Sequence, residues 1–373
     1  MRTHLRWDAQ PSVVGPGTGP PSGPGWVTSI AQDGQAIVSW APPTGGPPQT
    51  YTITPFIAGT PQASTTIAAP ATSTTVTGLT NGTAYTFQVT ATNQAGTAVS
   101  PMSGANTPQT NLLFGDEFNG TQLDPAWTPA YRDGDQSNSE QQFYLPQQVQ
   151  LDGASNLVIT TVPNPVSAQT YNDATPPTYR GGGLVTRPFL SGMVAMSWPG
   201  ALAPSTFTQP GFNFTYGRIQ VNAIVGQGTN GWWPAIWMLG ANCGQTTIYD
   251  PNNVGSCLWP SAGSEEIDIA EFNNNGANYN AWMIYGGGGT LHSNGQAIPV
   301  TSPGTTFHTY ECRWFAGTIS WYLDGSQVVA PWTTSVPSTP QFMMIQNVIR
   351  GGLGTPSLTQ PVTKVDWVRI FSS

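Results

Sequence analysis

The residues best suited to chemistry lie in one short run, "SEEIDIAEF", Ser264 to Phe272. It places four carboxylates, Glu265, Glu266, Asp268 and Glu271, within seven residues of a chain that is only 8% charged. Like charges this close repel, and Asp and Glu are poor strand formers. The isoleucines between them nevertheless alternate as a strand requires: Glu266 and Asp268 point to one face, Ile267 and Ile269 to the other. Glu271 is out of step, so a regular strand would turn it inward. A β-bulge at Ile269–Ala270 returns it to the acidic face, and bulges are common beside active sites. Glu265 is out of phase with Glu266 and reads as a bystander.

A row of carboxylates on one face suits acid–base and nucleophilic work on a glycosidic bond. Two carboxyls about 5–5.5 Å apart serve retaining hydrolysis, one as nucleophile and the other as general acid/base. Their repulsion is then useful, because it raises the pKa of one member so that it holds a proton near working pH. Asp268, between them, would hydrogen-bond the nucleophile and orient it. A calcium site or a solvated edge is the competing reading, but calcium loops are turn-like and rich in Asp, Asn and Gly rather than flanked by alternating isoleucines.

The elements that must position these acids are strands. Gly (43) and Pro (35) are abundant, and no stretch sustains helical periodicity over three turns. Fourteen Trp, 12 Tyr and 14 Phe supply apolar surface to bury, so disorder is excluded for the bulk of the chain. Three regions are expected: a Pro/Gly-rich tail over 1–22, a small sandwich over 23–108 and a larger all-β domain over 109–373. In the second, Trp40 and "LTNGTAYTFQVTATNQAG" resemble a fibronectin type III domain, with Leu79 and Tyr85 spaced as in a tyrosine corner. "NTPQTN" reads as a short linker, and the domain as a spacer or positioning module. The third reads as a two-sheet sandwich or jelly roll built from runs such as "NLVITTV", "YGRIQVNAIV", "AIWML" and "FHTYECRWF".

A net charge of −8, with ten basic residues scattered singly, argues against nucleic acid, anionic membranes and sulfated polymers. A neutral, ring-shaped ligand suits the surface better. No apolar run is long enough to span a membrane. The composition looks extracellular, so secretion is expected, although the first residues carry no signal-peptide pattern. A monomer is expected. Cys243 and Cys257 flank a Gly/Asn/Pro-rich loop that a disulfide could tie, worth about 3 kcal/mol for a loop near 15 residues. Cys312 reads as a buried thiol rather than a nucleophile.

The acid run also resembles the E-x-D-x-x-E signature of glycoside hydrolase family 16 in its bulged, laminarinase-like form. The likeness continues through "FGDEFNGTQLDPAWTP", "NSEQQFY", "YGRIQVNAIV", "GWWPAIWMLG", "GTLHSNG", "ISWYLDG" and "VDWVRIF", in family order over roughly residues 111–373. It implies a β-jelly roll and retaining endo-hydrolysis of β-1,3-glucan of the laminarin type, with tolerance of mixed β-1,3-1,4-glucan. Glu266 is implied as nucleophile, Asp268 as its assistant and Glu271 as acid/base. Other family activities, on lichenan, xyloglucan or agar or as a transglycosylase, remain as alternatives. A glucan-binding protein without catalysis is disfavoured by the intact acids.

Substrate contacts follow from the same resemblance. Asn138 matches a residue that hydrogen-bonds glucose, with Glu140 supporting the cleft. Arg218 matches an arginine beside the cleft and His292 a histidine that lines it. Trp233 and Trp237, four apart and so on one strand face, read as stacking platforms for the apolar faces of sugar rings. No cofactor is expected for catalysis. The family's structural calcium, far from the chemistry, maps onto Glu117, Gly153 and Asp366, two of them acting through backbone carbonyls. Two departures stand out: Glu265 replaces a glycine before the motif, and Asn222 replaces a basic residue late in the "YGRI" strand. The loop Ala241–Ser261 is peculiar to this chain and is placed to wall the cleft.

Overall fold

The computed structural model describes residues 19–129, 140–164, 188–196, 212–244, 259–260, 262–272, 278–287, 290–351 and 356–373. Over these the chain is almost entirely short strands, as its turn-rich, β-branched and aromatic composition dictates.

The N-terminal domain is a small sandwich. Val27–Gln32, Gln35–Trp40 and Ser73–Thr77 form one layer; Thr50–Ile57, Thr65–Ala68, Thr86–Asn93 and Gly96–Val99 belong to the other. Trp40 and Tyr51 meet between them with ring centroids 5.1 Å apart. The tyrosine corner forms as its spacing foretold: Tyr85 is buried, and its hydroxyl accepts the Thr80 amide at 3.0 Å.

The larger domain packs two sheets face to face. The cleft sheet runs, in spatial order, Met193–Ala195, Gln341–Gln346, Ala235–Gly240, Glu266–Phe272, Asn278–Gly287 and Thr290–Pro299. The outer sheet contains Ser326–Trp332, Thr318–Leu323, His308–Phe315, Gly217–Ile224, Val362–Phe371 and Leu112–Asp116. Ile219, Val221 and Ala223 of the outer sheet face Met238, Ile267 and Phe272 of the cleft sheet across one buried core. Burying these side chains is worth roughly 1.5–3 kcal/mol each relative to exposure, which fixes the facing of every strand that carries the alternation. Cys312 belongs to this core and is a free, buried thiol.

The two domains share a sheet. Ala31 of the first strand pairs antiparallel with Gly115 of Leu112–Asp116, and Ile30 is buried in the core of the larger domain. Asn106, read from the sequence as linker, is buried, and its amide nitrogen donates to the Ser29 and Gly115 carbonyls at 2.7 and 3.1 Å. The Asn111 amide donates to Asp33, and the Thr28 hydroxyl donates to buried Asp124 at 2.6 Å. The segment is pinned rather than free, because every polar group buried at this junction needs a partner.

Candidate active site

The acids sit on Glu266–Phe272, at the centre of the cleft sheet. Ile267, Ile269, Ala270 and Phe272 are buried in the core. The bulge appears where the alternation broke. Ile236 pairs with Ala270 and Trp237 with Asp268, so Ile269 is the extra residue, and the other neighbouring strand shifts register between Asp268 and Glu271. The extra residue brings Glu271 into phase with Glu266 and Asp268. From the outer sheet, the buried Trp321 indole donates to the Asp268 carbonyl at 2.9 Å, giving the irregular backbone a partner through the core.

Burial dominates the electrostatics. It pushes Glu266 up to about 7, with Glu271 adding to the rise while hydrogen bonds from Trp259 and Asp268 oppose it. Asp268 is raised well above the ordinary range by burial, by Glu266 and by Glu271. Glu271 is raised by burial, against the lowering influence of the Trp233 and Trp282 indoles and of Arg350. Those two indole N–H groups lie near the Glu271 carboxylate but outside good hydrogen-bond geometry. Crowding acids in a dry site therefore holds their carboxyls above the ordinary carboxylate range.

Tryptophans surround the acids. Trp237 pairs with Asp268 in register, and Trp282 lies in the same row on the other side. Gly295 completes that row; a Cβ there would come within 2.0 Å of the Trp282 ring, so the position admits no side chain without moving it. Among the described residues the indole N–H groups of Trp233, Trp237 and Trp282 and Oδ2 of Asp268 are buried without a hydrogen-bond partner. Buried donors in that state suit a ligand rich in hydroxyls.

Several sequence-derived positions find their place and others do not. Glu140 is buried, accepts from Gln142 at 2.7 Å and from Tyr144 at 3.1 Å, and is pushed up to about 8 by burial. Glu265 is buried beneath the cleft, where it accepts the Gly263 amide at 2.7 Å, and it is not among the groups that shift Glu266. Arg218 is a correction. It stands on the outer sheet in register with Arg313, its guanidinium 4.2 Å from the Phe371 ring centroid, and Asn222 shares that outward face. The reason is the alternation of its own strand, which commits Ile219 and Val221 to the core. His292 is corrected likewise. It is exposed on the edge strand in register with Tyr285, one step out of phase with the Glu266–Ile284–Ser293 row, and stacks on Tyr285 at 5.5 Å. Asn138, Cys243 as a side chain, and Cys257 lie outside the described residues, so the proposed pairing of the two cysteines does too.

Three residues escaped the sequence reading. The Trp259 indole donates to Glu266 Oε2 at 2.9 Å. Trp282 carried a usable signal, since it alternates with buried Ala281 and Met283. Arg350 lies over Trp233, 5.1 Å from its ring centroid, and nothing in its neighbourhood of glycines marked it.

The positions mapped for calcium lie across the outer sheet from the acids. Glu117 is committed to Arg369 through two bonds of 2.9 Å. Asp366 is the extra residue of a bulge in the last strand, its carboxyl raised by burial and by Glu117 despite Arg369. Among the described residues no group of three or more His, Cys, Asp or Glu could hold a metal.

Known proteins agree with this architecture. Residues 19–104 match the fibronectin type III domain model and residues 201–369 that of glycosyl hydrolases family 16. A beta-glucanase of Rhodothermus marinus is 29% identical over 186 residues, 43% of this chain and 58% of that protein. A glucan endo-1,3-beta-glucosidase A1 of Niallia circulans is 27% identical over 297 residues, 70% of this chain and 38% of that protein. The chain thus spans less than two thirds of the length of these relatives. A crystal structure of a LamA variant from Z. galactanivorans, in complex with laminaritriose and laminaritetraose, superposes with a TM-score of 0.54 at 25% identity, covering 70% of this chain and 99% of that one. With the bulged acid strand and the tryptophan-lined sheet, residues 201–369 are similar to glycosyl hydrolases family 16, and residues 19–104 ahead of them to the fibronectin type III domain.

Proposed function

We propose that this protein is a retaining endo-β-1,3-glucanase that also accepts mixed β-1,3-1,4-glucan and acts outside the cell. The observation that carries the reading is the bulge at Ile269, which sets Glu266, Asp268 and Glu271 on one face among tryptophans. The beta-glucanase and endo-1,3-beta-glucosidase relatives and the laminari-oligosaccharide complex support the substrate class.

In the first step the Glu266 carboxylate attacks the anomeric carbon. The bond to the departing sugar breaks as Glu271 gives its proton to the glycosidic oxygen, leaving a glycosyl ester on Glu266. Glu271, now ionised, takes a proton from water; the water oxygen attacks the same carbon and frees Glu266. Two inversions give retention. Asp268 keeps its proton and donates a hydrogen bond to Glu266, which favours the charged nucleophile. Trp233 and Trp237 offer ring faces to the sugar, and Trp237 its N–H as well. A structural calcium on Asp366 and the Glu117 and Gly153 carbonyls belongs to the same reading and takes no part in the chemistry.

The test is product analysis on laminarin, lichenan, xyloglucan and agarose by reducing-end release and anomeric NMR, with Glu266→Gln alongside. The β-anomer appearing first from laminarin, with at least about a 10³-fold loss in the variant, is expected. Inversion, or cleavage of none of the four by folded protein, would overturn it.

A further inference from the structure

The cleft holds a cation that the catalytic scheme does not use. Arg350 is exposed, yet its backbone is clamped on both sides. Its amide donates to the Gly231 carbonyl at 2.7 Å, the Gln141 amide donates to the Ile349 carbonyl at 2.8 Å, and the Ile349 amide donates to Gln142 Oε1 at 2.8 Å. Gly231 adopts φ 101°, and a Cβ there would fall 2.2 Å from the Arg350 carbonyl, so the close approach depends on glycine. An arginine presented from so rigid a mount occupies a defined place despite its exposure. Its guanidinium lies over the Trp233 ring, 5.1 Å from the centroid, and the Trp233 indole N–H lies near Glu271, outside good hydrogen-bond geometry.

We propose that Arg350 is a positioning residue of the hydrolytic site, which acts through its charge on Glu271 with Trp233 holding it in place. The proposal rests on the reading of Glu271 as acid/base. Among the described residues no carboxylate forms an ion pair with Arg350, so its charge is not consumed locally. The groups that face Glu271 can be named. Glu266 and Asp268 share its strand, Trp233 and Trp282 direct N–H groups toward it, and Asn280 pairs with it across the sheet. Glu140, whose backbone bridges to Arg350, is raised to about 8 and so is mostly neutral at pH 7. Among the described residues Arg350 is the cation that lowers Glu271, acting after the two indoles.

The sign follows. A nearby positive charge favours the carboxylate form of Glu271 and partly offsets the effect of burial. Removing it leaves Glu271 holding its proton to higher pH. Because Glu271 must be protonated to start the reaction, the alkaline limb of kcat/KM moves upward when the charge is lost. A residue serving only the fold would lower activity at all pH values and leave the limb in place.

The experiment is the pH profile of kcat/KM on laminarin for the full chain and for Arg350→Gln, Arg350→Met and Arg350→Lys, with thermal melting of each. The two neutral variants are expected to shift the alkaline limb up by about 0.5–1 pH unit, while Arg350→Lys stays with the parent. A limb unmoved in the neutral variants, or moved as far by Arg350→Lys, overturns the proposal. Glu271→Gln, assayed on an aryl β-glycoside whose leaving group needs no proton, separates the two readings. Loss of the alkaline limb there upholds Glu271 as the acid, so that an unmoved limb in the neutral Arg350 variants then overturns the role of Arg350 alone; persistence at the same pH overturns the reading of Glu271 and the role of Arg350 with it.

Discussion

Trp259 shows how much a single side chain outside the acid strand sets the chemistry. Its N–H is the strongest of the influences holding Glu266 down against burial, and it reaches the carboxylate from a turn outside the acid strand. Replacing it with Phe removes the donor while keeping most of the ring. Glu266, already near 7, then titrates higher. Since the nucleophile must be ionised, the acid limb of kcat/KM moves up in Trp259→Phe, with a several-fold loss near pH 6 and recovery as pH rises. An unchanged acid limb would mean that the bond contributes nothing to the charged state. The three acids themselves were legible from spacing, because isoleucine alternation can be counted along a strand. Trp259, Trp282 and Arg350 act from other strands and turns, and their distance from Glu266 and Glu271 is a property of the fold.

At the scale of elements, strand facing was legible wherever apolar residues alternated. The bulge was legible because Glu271 broke the period and small Ala270 followed the extra residue. Arg218 and His292 show the opposite case. A family match can locate the strand, but the face is decided by register and by which neighbours commit to the core: Ile219 and Val221 turn Arg218 outward, and His292 follows its partner Tyr285 out of the Glu266 row. The same scale governs the proposed calcium. It would join the bend after Leu112–Asp116 to the last strand, tying the opening and closing strands of the outer sheet. Binding to the native state alone stabilises by about 2.7 kcal/mol at a hundredfold excess over Kd. Calcium is therefore expected to raise Tm by a few degrees relative to EDTA, and Asp366→Asn to abolish that rise; identical melts with and without the ion count against the site.

For the whole molecule, the fibronectin type III domain is joined to the hydrolase by sheet and core. Ile30 belongs to the N-terminal domain in sequence and to the hydrolase core in space. Ile30→Asp would bury a charge there and is expected to destabilise the hydrolase by about 3 kcal/mol or more. Differential scanning calorimetry should then show the hydrolase transition itself moving down, together with faster thermal loss of activity. Movement confined to a separate N-terminal transition would mean the domains are only tethered. The sequence by itself determined the all-β class, the alternation that sends isoleucines inward and acids outward, and the out-of-phase Glu271 that demands a bulge, since each is local along one strand. Only the tertiary structure decided that Trp259 and Arg350 meet the acids, that Arg218 faces away from them, and that Asn106 clamps two domains. Those contacts lie outside any one strand's alternation, whether seven residues off in a turn, as for Trp259, or far along the chain, as for Arg350, and their energies come from burial and hydrogen-bond satisfaction that no single strand contains.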